Sequence, residues 1–281
     1  MYVIWGSTYL GIAYAIQTVP PFLMAGARFF LAGLILYVVS RVRGAPRPTA
    51  SHWRNGAIAG TFLLLGGNGL VTWAEQRVPS GSAALLVATA SLWIVLMAWA
   101  AGARRPSGLA WLGIACGLSG VALLVGPGTG HIDPLGAVAL LSSAFAWSLG
   151  TVVARRADLP DSTLLATAVE MLTGGVALIV VACLLGEPAR LVLARISGIS
   201  LLAFVYLVTI GSLVGYSAYT YLVGHTSPAR LGTYAYVNPV IAVLLGWAIA
   251  HEPIAPRTIA AMVVIVSSVA ILSVRPRAAT R

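Results

Sequence analysis

Residues 22–40 read Phe22-Leu-Met-Ala-Gly-Ala-Arg28-Phe-Phe-Leu-Ala-Gly-Leu-Ile-Leu-Tyr-Val-Val-Ser40, nineteen positions with one charge. A helix rises about 1.5 Å per residue, so this run covers roughly the 30 Å of a bilayer's hydrocarbon core. In lipid every backbone N–H must find its partner inside the segment, which makes the run a helix. The same texture recurs along the chain, with breaks where Pro, Gly and charge cluster. The breaks give spans at about Tyr2–Gln17, Phe22–Ser40, Trp53–Ala74, Gly81–Ala101 and Leu109–Val125. The second five are Pro134–Val153, Thr163–Leu185, Ser200–Val223, Ala229–Ala250 and Arg257–Val274. The expected fold is therefore an all-α integral membrane protein with ten transmembrane helices. The connection from Leu191 to Ile199 is the one long enough for a short interfacial helix.

Composition agrees. Of the 281 residues, 59% are hydrophobic and 9% charged, with mean hydropathy +0.93. A soluble domain carries roughly 25% charged residues, so this surface suits lipid and not water. The net charge of +10 comes from 17 basic residues, all Arg, and 7 acidic ones. The arginines sit between apolar runs, which favours a membrane surface over nucleic acid as the basic residues' partner. Cys116 and Cys183 lie inside apolar runs without metal-like neighbours and read as small buried hydrophobes. No cleavable signal peptide is visible. The first span is short and Met1 sits almost in it, so the natural start is expected upstream, or the span slightly truncated.

Arginine counts orient the bundle. Connections after even-numbered spans hold Arg41, Arg43, Arg47, Arg54, Arg104, Arg105, Arg155, Arg156 and Arg230, and the C-terminal tail adds Arg275, Arg277 and Arg281. Connections after odd-numbered spans hold Arg77, Arg190, Arg195 and Arg257. Twelve against four places the even connections and both termini in the cytoplasm.

The chain also repeats itself. An offset of 142 lays Trp5 on Trp147, Gly33 on Gly175 and Arg28 on Glu170. An offset of 148 lays Thr61 on Thr209, Gly67 on Gly215, Thr72 on Thr220 and Trp99 on Trp247. The same offset lays Gly120–Leu124 on Ser268–Leu272, and the longer seventh-to-eighth connection holds the six extra residues. Residues 1–126 and 133–275 thus read as two five-helix repeats. Five is odd, so the second copy enters from the opposite face. Inverted repeats of this kind are a transporter design in which the halves exchange shapes.

These residues resemble a known family. Ile4-Trp5-Gly6-Ser7-Thr8-Tyr9-Leu10, Ala27-Arg28-Phe29-Phe30-Leu31-Ala32-Gly33 and Gly117 to Val125 are similar to motifs of EamA-type carriers in the drug/metabolite transporter superfamily. Asn68-Gly69, Ala74-Glu75-Gln76 and Val78-Pro79-Ser80-Gly81 resemble one bacterial inner-membrane subgroup. Tyr236-Val237-Asn238-Pro239-Val240 and His251-Glu252-Pro253 resemble the family's ninth-helix end. The resemblance covers essentially the whole chain. It implies two inverted five-helix halves, export of small metabolites such as amino acids, and a central cavity lined by spans one to four and six to nine. Spans five and ten would be peripheral. The fourth span departs from the pattern. Where the second half has Asn238-Pro239, the first has Ala90-Ser91, which questions whether both halves break their helices alike.

Ionisable groups within spans are expensive and hence functional candidates. Arg28 lies about seven residues in from the outer face, roughly 10 Å deep, and Glu170 about as far in from the inner face. Two readings are open: a mutual salt bridge locking the halves, or a substrate-charge or proton site that exchanges partners. Polar and aromatic groups supply the rest of a carrier site. The substrate-binding candidates are Trp5, Thr8, Asn68, Trp147, Tyr216, Tyr234 and Asn238, with Ser7, Thr72, Thr151 and Thr220 nearby. Tyr234 and Asn238 share a helical face. Asn238 precedes Pro239, whose missing N–H frees a carbonyl one turn back, as in transporters with broken helices. Glu75 should reach the outer surface, as an interfacial charge beside Arg77 or as a gate. Trp53, Trp73, Trp93, Trp99, Trp111 and Trp247 read as packing or interface residues. Gly113, Gly117 and Gly120 read as a close-packing stripe.

Enzyme chemistry has little support. Ser80-Gly81-Ser82 would need a His within reach to form a nucleophile, and His52, His131, His225 and His251 lie at scattered span ends. No metal-ligand spacing, cofactor motif or phosphate loop is present in the sequence. The expected function is a secondary transporter exporting a small-molecule substrate across a bacterial cytoplasmic membrane by alternating access, with proton linkage as the coupling it allows. A membrane-embedded enzyme acting on lipid or peptide is the alternative. The expected partners are substrate and lipid bilayer, with a homodimer left open.

Overall fold

In the computed structural model, residues 1–100, 105–125, 132–226 and 234–273 are described, and among them every regular element is helical. Helix α1 is Tyr2–Ala15 and α2 is Pro21–Val42. Helix α3, Ala50–Ala74, starts three residues before the expected Trp53. Thr49 accepts from the His52 backbone N–H at 3.2 Å and His52 Nδ1 accepts from Thr49 N–H at 3.3 Å, a capping box that extends the helix toward water. Helix α4 runs as two pieces, Ser80–Val87 and Ala90–Ala100, followed by α5, Gly108–Val125. Helices α6 (Pro134–Arg156), α7 (Thr163–Leu184), α8 (Gly198–His225), α9 (Tyr234–Ala250) and α10 (Pro256–Ser273) complete the bundle. The expected stretches of span nine before Tyr234, and Val274, lie outside the described residues.

Seven of these, α2 to α8, are long and apolar enough to cross a membrane. Helix α1 has 14 residues, and α9 and α10 carry the shorter apolar stretches Val237–Ala250 and Pro256–Leu272. Leu34, Ile35 and Val38 of α2, Leu118 of α5, Val180 of α7, Leu202 of α8 and Val263 of α10 are exposed. An exposed apolar belt of that size needs a non-aqueous partner, here lipid. The expected interfacial helix between α7 and α8 is only two single turns, Glu187–Arg190 and Leu193–Arg195. Leu191 and Val192 are extended between them, so no amphipathic face can form.

The main helix pairings are kept when α1–α5 are exchanged for α6–α10, while the α1–α4 and α9–α10 contacts have no comparable counterpart. Helix α2 packs on α7, α4 on α9 and α5 on α10, while α1 meets α8 and α9 as α6 meets α3 and α4. The α2–α7 contact is backbone to backbone. A Cβ on Gly175 would lie 2.7 Å from Phe30 N, and one on Gly33 2.9 Å from Leu172 N. The Gly113–Gly117–Gly120 stripe packs α5 on α10 as expected, with Ser268 Oγ donating to Gly113 O at 2.6 Å.

Both central helices of the bundle widen at one place. Residues Thr61–Gly69 of α3 and Leu207–Tyr216 of α8 form π-helical stretches, in which each N–H bonds five residues back. The helix interruptions also differ from expectation. Helix α9 runs on through Pro239, whereas α4, without a proline, breaks at Ala88–Thr89. Thr89 Oγ1 donates to Leu86 O at 2.6 Å, and Ser148 of α6 donates to Ala90 O at 2.9 Å, so side chains serve the carbonyls at the break.

Candidate functional site

A cavity of about 70 Å³ sits among α1, α2, α3, α4, α6, α8 and α9. All seven residues expected to bind substrate line it: Trp5, Thr8, Asn68, Trp147, Tyr216, Tyr234 and Asn238. Arg28 lines it too, and so do Tyr9, Phe29, Val87 and Ser143, which the sequence reading did not single out. Polar side chains in an apolar helix turn toward the bundle interior because lipid offers them nothing. Helix α7, expected at this cavity, contributes to a second hollow instead.

Glycines in the π-helical stretches seat the large side chains. A Cβ on Gly67 of α3 would lie 2.9 Å from the Trp147 ring, and one on Gly215 of α8 2.8 Å from Trp5 Nε1. A Cβ on Gly211 would lie 3.0 Å from an Nη of Arg28. Each Trp therefore stands over a glycine of the other half.

The rings form one cluster. Trp5 lies 5.4 Å from Trp147, 4.9 Å from Tyr219 and 5.3 Å from Tyr234, centroid to centroid. Trp147 lies 5.1 Å from Tyr219, and Tyr216 6.0 Å from it. On one side these rings line the central cavity. On the other is a hollow of about 300 Å³, a vestibule lined by Thr151, Arg155, Asp161, Glu170, Tyr219 and Thr220. Tyr219, the hub of the cluster, is fixed by a hydrogen bond between its hydroxyl and Thr151 Oγ1 at 2.6 Å. Its place one turn after Tyr216 was the available signal for it.

Arg28 and Glu170 face different hollows and do not pair. Among the described residues the ion pair is His52–Asp158, 3.5 Å. Arg28 Nε donates to Ser212 Oγ at 2.8 Å and its guanidinium lies 4.6 Å from the Phe29 ring centroid. Glu170 accepts from Tyr216 OH at 3.1 Å. The contacts from one charge to the other run through Phe29 and Tyr216, whose rings are 6.3 Å apart. The mutual salt bridge is thus replaced by two separately held charges.

Glu75 is not the surface charge one reading expected. It is 8% exposed, and neither carboxylate oxygen has a hydrogen-bond partner. It lies within electrostatic reach of Glu252, Arg28 and Tyr9, while Arg77 turns to the Trp73 ring. Asn238, with its amide oriented to donate, reaches Tyr2 O at 2.8 Å and Tyr234 O at 3.2 Å, tying α9 to the start of α1. Thr72 and Thr220 donate to their own helices, at Asn68 O and Tyr216 O, and Ser7 shares a 2.5 Å hydrogen bond with Tyr206. Ser80 Oγ is buried without a hydrogen-bond partner among the described residues.

Two carboxylates outside the cavity set the frame. Pro20 and Pro79 stand at the N-caps of α2 and α4, where neither can offer a side-chain oxygen to the first N–H groups. Glu187 accepts from Phe22 N at 3.3 Å and Leu23 N at 2.7 Å, and Glu252 from Ser80 N at 2.9 Å and Gly81 N at 3.2 Å. Glu252 belongs to the quoted His251-Glu252-Pro253 motif, whereas Glu187 carried no sequence signal. His251 takes φ +54°, the left-handed turn that swings Glu252 back.

Comparison with known proteins agrees with this architecture. The EamA-like transporter family matches residues 1–126 and 134–274. The uncharacterized inner membrane transporter YedA of Escherichia coli (strain K12) is 40% identical over 274 residues, 97% of this chain and 88% of that one. The uncharacterized transporter YvbV of Bacillus subtilis (strain 168) is 24% identical over 98% of this chain and 90% of its own. A crystal structure superposes with a TM-score of 0.69 at 22% sequence identity, over 96% of this chain and 94% of that one, a likeness of fold.

Proposed function

This chain belongs to the EamA-like transporter family, and from that premise we propose that it is a secondary transporter of small metabolites, amino acids or related compounds, in a bacterial inner membrane. The observation that carries the reading is the pair of hollows divided by one ring cluster. A central cavity and a vestibule, separated by side chains that can rotate, are the minimum apparatus for passing a molecule across without an open channel. The ten helices cross as two inverted halves, 1–126 and 133–275. The neighbour pattern supports this, because its main pairings survive exchange of the halves.

With both termini cytoplasmic, as the arginine asymmetry argues, the vestibule opens to the cytoplasm and Glu75 lies toward the outside. The cargo then enters past Glu170, crosses the ring cluster into the cavity beside Arg28, and leaves past Glu75, which serves as the outer gate. The central cavity is well below the roughly 300–1,000 Å³ of ligand pockets, as befits a conformation between loadings. Glu170, at the vestibule end of the ring cluster, is the group placed to carry a proton against the cargo.

The test is uptake into liposomes holding purified protein, across an amino-acid panel, with and without a pH gradient. Substrate accumulation that a pH gradient drives supports the full reading. Flux insensitive to the gradient removes the proton, and no flux for any member under either condition overturns the substrate class.

A further inference from the structure

We propose that Arg28 is a carboxylate-recognition residue of the central cavity, so that the molecule held there bears a single carboxylate group. The proposal deepens the transporter reading and rests on it only for the step of transport.

Arg28 is 4% exposed, and among the described residues no carboxylate forms an ion pair with it. A buried cation without a carboxylate in direct contact is costly, and this one is held in place. Ser212 Oγ fixes Nε at 2.8 Å, the Phe29 ring covers one face, and Gly211 leaves the room that a side chain would take. Among the described residues no hydrogen bond engages the Nη groups, although Tyr206 and Glu75 lie within electrostatic reach, and that pair is the edge that takes a carboxylate by two parallel hydrogen bonds. That edge belongs to a residue lining the cavity. Ser143 lines the same cavity from α6, is buried, and its hydroxyl has no partner, so a second polar contact waits for the ligand.

The charge count favours a single carboxylate over a dianion. Arg28 is the one cationic side chain on the cavity wall, and the rest of the lining is aromatic, aliphatic or neutral polar. A phosphate dianion would lack a second cation, and Glu75, within reach of Arg28, makes the field less positive still. A cation that carries no carboxylate would meet the guanidinium with like charge only. The rings of Trp5, Trp147 and Tyr216 suit a flat or apolar body attached to the carboxylate.

The experiment is ligand binding to the purified full-length protein in detergent, read by tryptophan fluorescence and by thermal stabilisation. Trp5 and Trp147 line the cavity and report its occupancy. The probes are acetate, propionate and benzoate, each against its amide, with benzylamine and inorganic phosphate as further arms. Each carboxylate is expected to bind at least about tenfold more tightly than its amide, with benzoate tightest. Arg28→Gln should abolish that preference, Arg28→Lys should keep a weakened one, and Ser212→Ala should reduce it several-fold. Equal binding of acid and amide, stronger binding of phosphate or benzylamine, or no binding of any carboxylate overturns the proposal. The acid–amide series needs no variant and so stands if Arg28→Gln does not fold. Carboxylate binding without flux of any substrate would sink the transport reading and leave the Arg28 site intact. Flux of substrates lacking a carboxylate, unchanged in Arg28→Lys, would do the reverse.

Discussion

Replacing Glu187 or Glu252 by alanine removes a helix cap supplied from a distant part of the chain, and the two variants should differ by an amount that burial sets. Each carboxylate accepts two backbone N–H groups at helices whose own N-cap is proline. A hydrogen bond to a charged group contributes about 1.5–3 kcal/mol, and a carboxylate at a partly buried helix N-terminus adds up to ~2 kcal/mol through the helix dipole. The terms overlap, because the dipole's positive end is those same N–H groups. Glu187 is 2% exposed, so water cannot replace it, and Glu187→Ala should cost about 3–4 kcal/mol. Glu252 is half-buried, so water screens part of its charge, and Glu252→Ala should cost about 1–2 kcal/mol. Glutamine at 252 keeps one acceptor but turns an amide N–H toward a donor, so it should rescue little. For a chain of this size about 2–4 °C of melting temperature accompanies each kcal/mol. Intrinsic-fluorescence melting in detergent should therefore show a drop of roughly 6–16 °C for Glu187→Ala and roughly 2–8 °C for Glu252→Ala. Melting temperatures within a degree of wild type, or a larger loss at 252 than at 187, would refute the capping argument.

Gly175→Ala places a Cβ 2.7 Å from Phe30 N, and backbone cannot step aside, so α2 and α7 must part at a cost of about 1–3 kcal/mol. Gly108→Ala meets nothing within 4 Å and should leave the melting temperature unchanged or slightly raised, the control for the same assay. Glu170→Gln keeps the contact with Tyr216 and should fold normally but lose gradient-driven flux in liposomes; full flux would exclude the carboxylate from coupling. Gly67→Ala and Gly215→Ala each push a tryptophan from its seat, and both should shift the emission spectrum and reduce flux at least about tenfold. A normal spectrum in either would show that the ring does not depend on the missing side chain.

The seven membrane-length helices and the cavity-lining residues were legible because both follow from one constraint, that lipid accepts apolar side chains and rejects polar ones. Trp5, Thr8, Asn68, Trp147, Tyr216, Tyr234 and Asn238 share the cavity because each interrupts an apolar run. Equal depth along two helices did not fix what lies between them, and so Arg28 and Glu170 were joined in expectation and are held apart by Phe29 and Tyr216. The π-helical stretches left no trace, since an i→i+5 pattern changes which residues face the cavity without demanding a residue type. Helix α4 broke without proline because Thr89 and Ser148 can serve its carbonyls, an alternative that no spacing rule encodes. The Glu187 and Glu252 caps lie 165 and 172 residues from the groups they serve, a partnership only tertiary structure reveals.

The two sequence offsets acquire physical content at the ring cluster. One pairs Trp5 with Trp147 and the other Gly67 with Gly215, and in space each tryptophan rests on the glycine of the opposite half. Two latches repeat the relation at opposite ends of α2. At one end the α6–α7 connection docks on the start of α3, where Ser51 donates to Asp158 Oδ2 at 2.8 Å and Asn55 to Asp158 O at 2.9 Å. At the other the last turn of α1 and the α1–α2 connection dock on the start of α8, where Ser200 Oγ donates to Tyr14 O at 2.8 Å and Ser197 N to Thr18 Oγ1 at 3.3 Å. Each latch consists of a few hydrogen bonds, about 0.5–1.5 kcal/mol apiece, and the exposed His52–Asp158 pair adds about 1 kcal/mol at most. The α2–α7 contact has no such slack, because its glycines bring backbone against backbone. A motion that opens one face and then the other must therefore break the latches in turn and pivot about α2 and α7. In the transport cycle proposed above, the tryptophans would leave their glycine seats one at a time, and the cargo would pass the ring cluster while the opposite latch still holds.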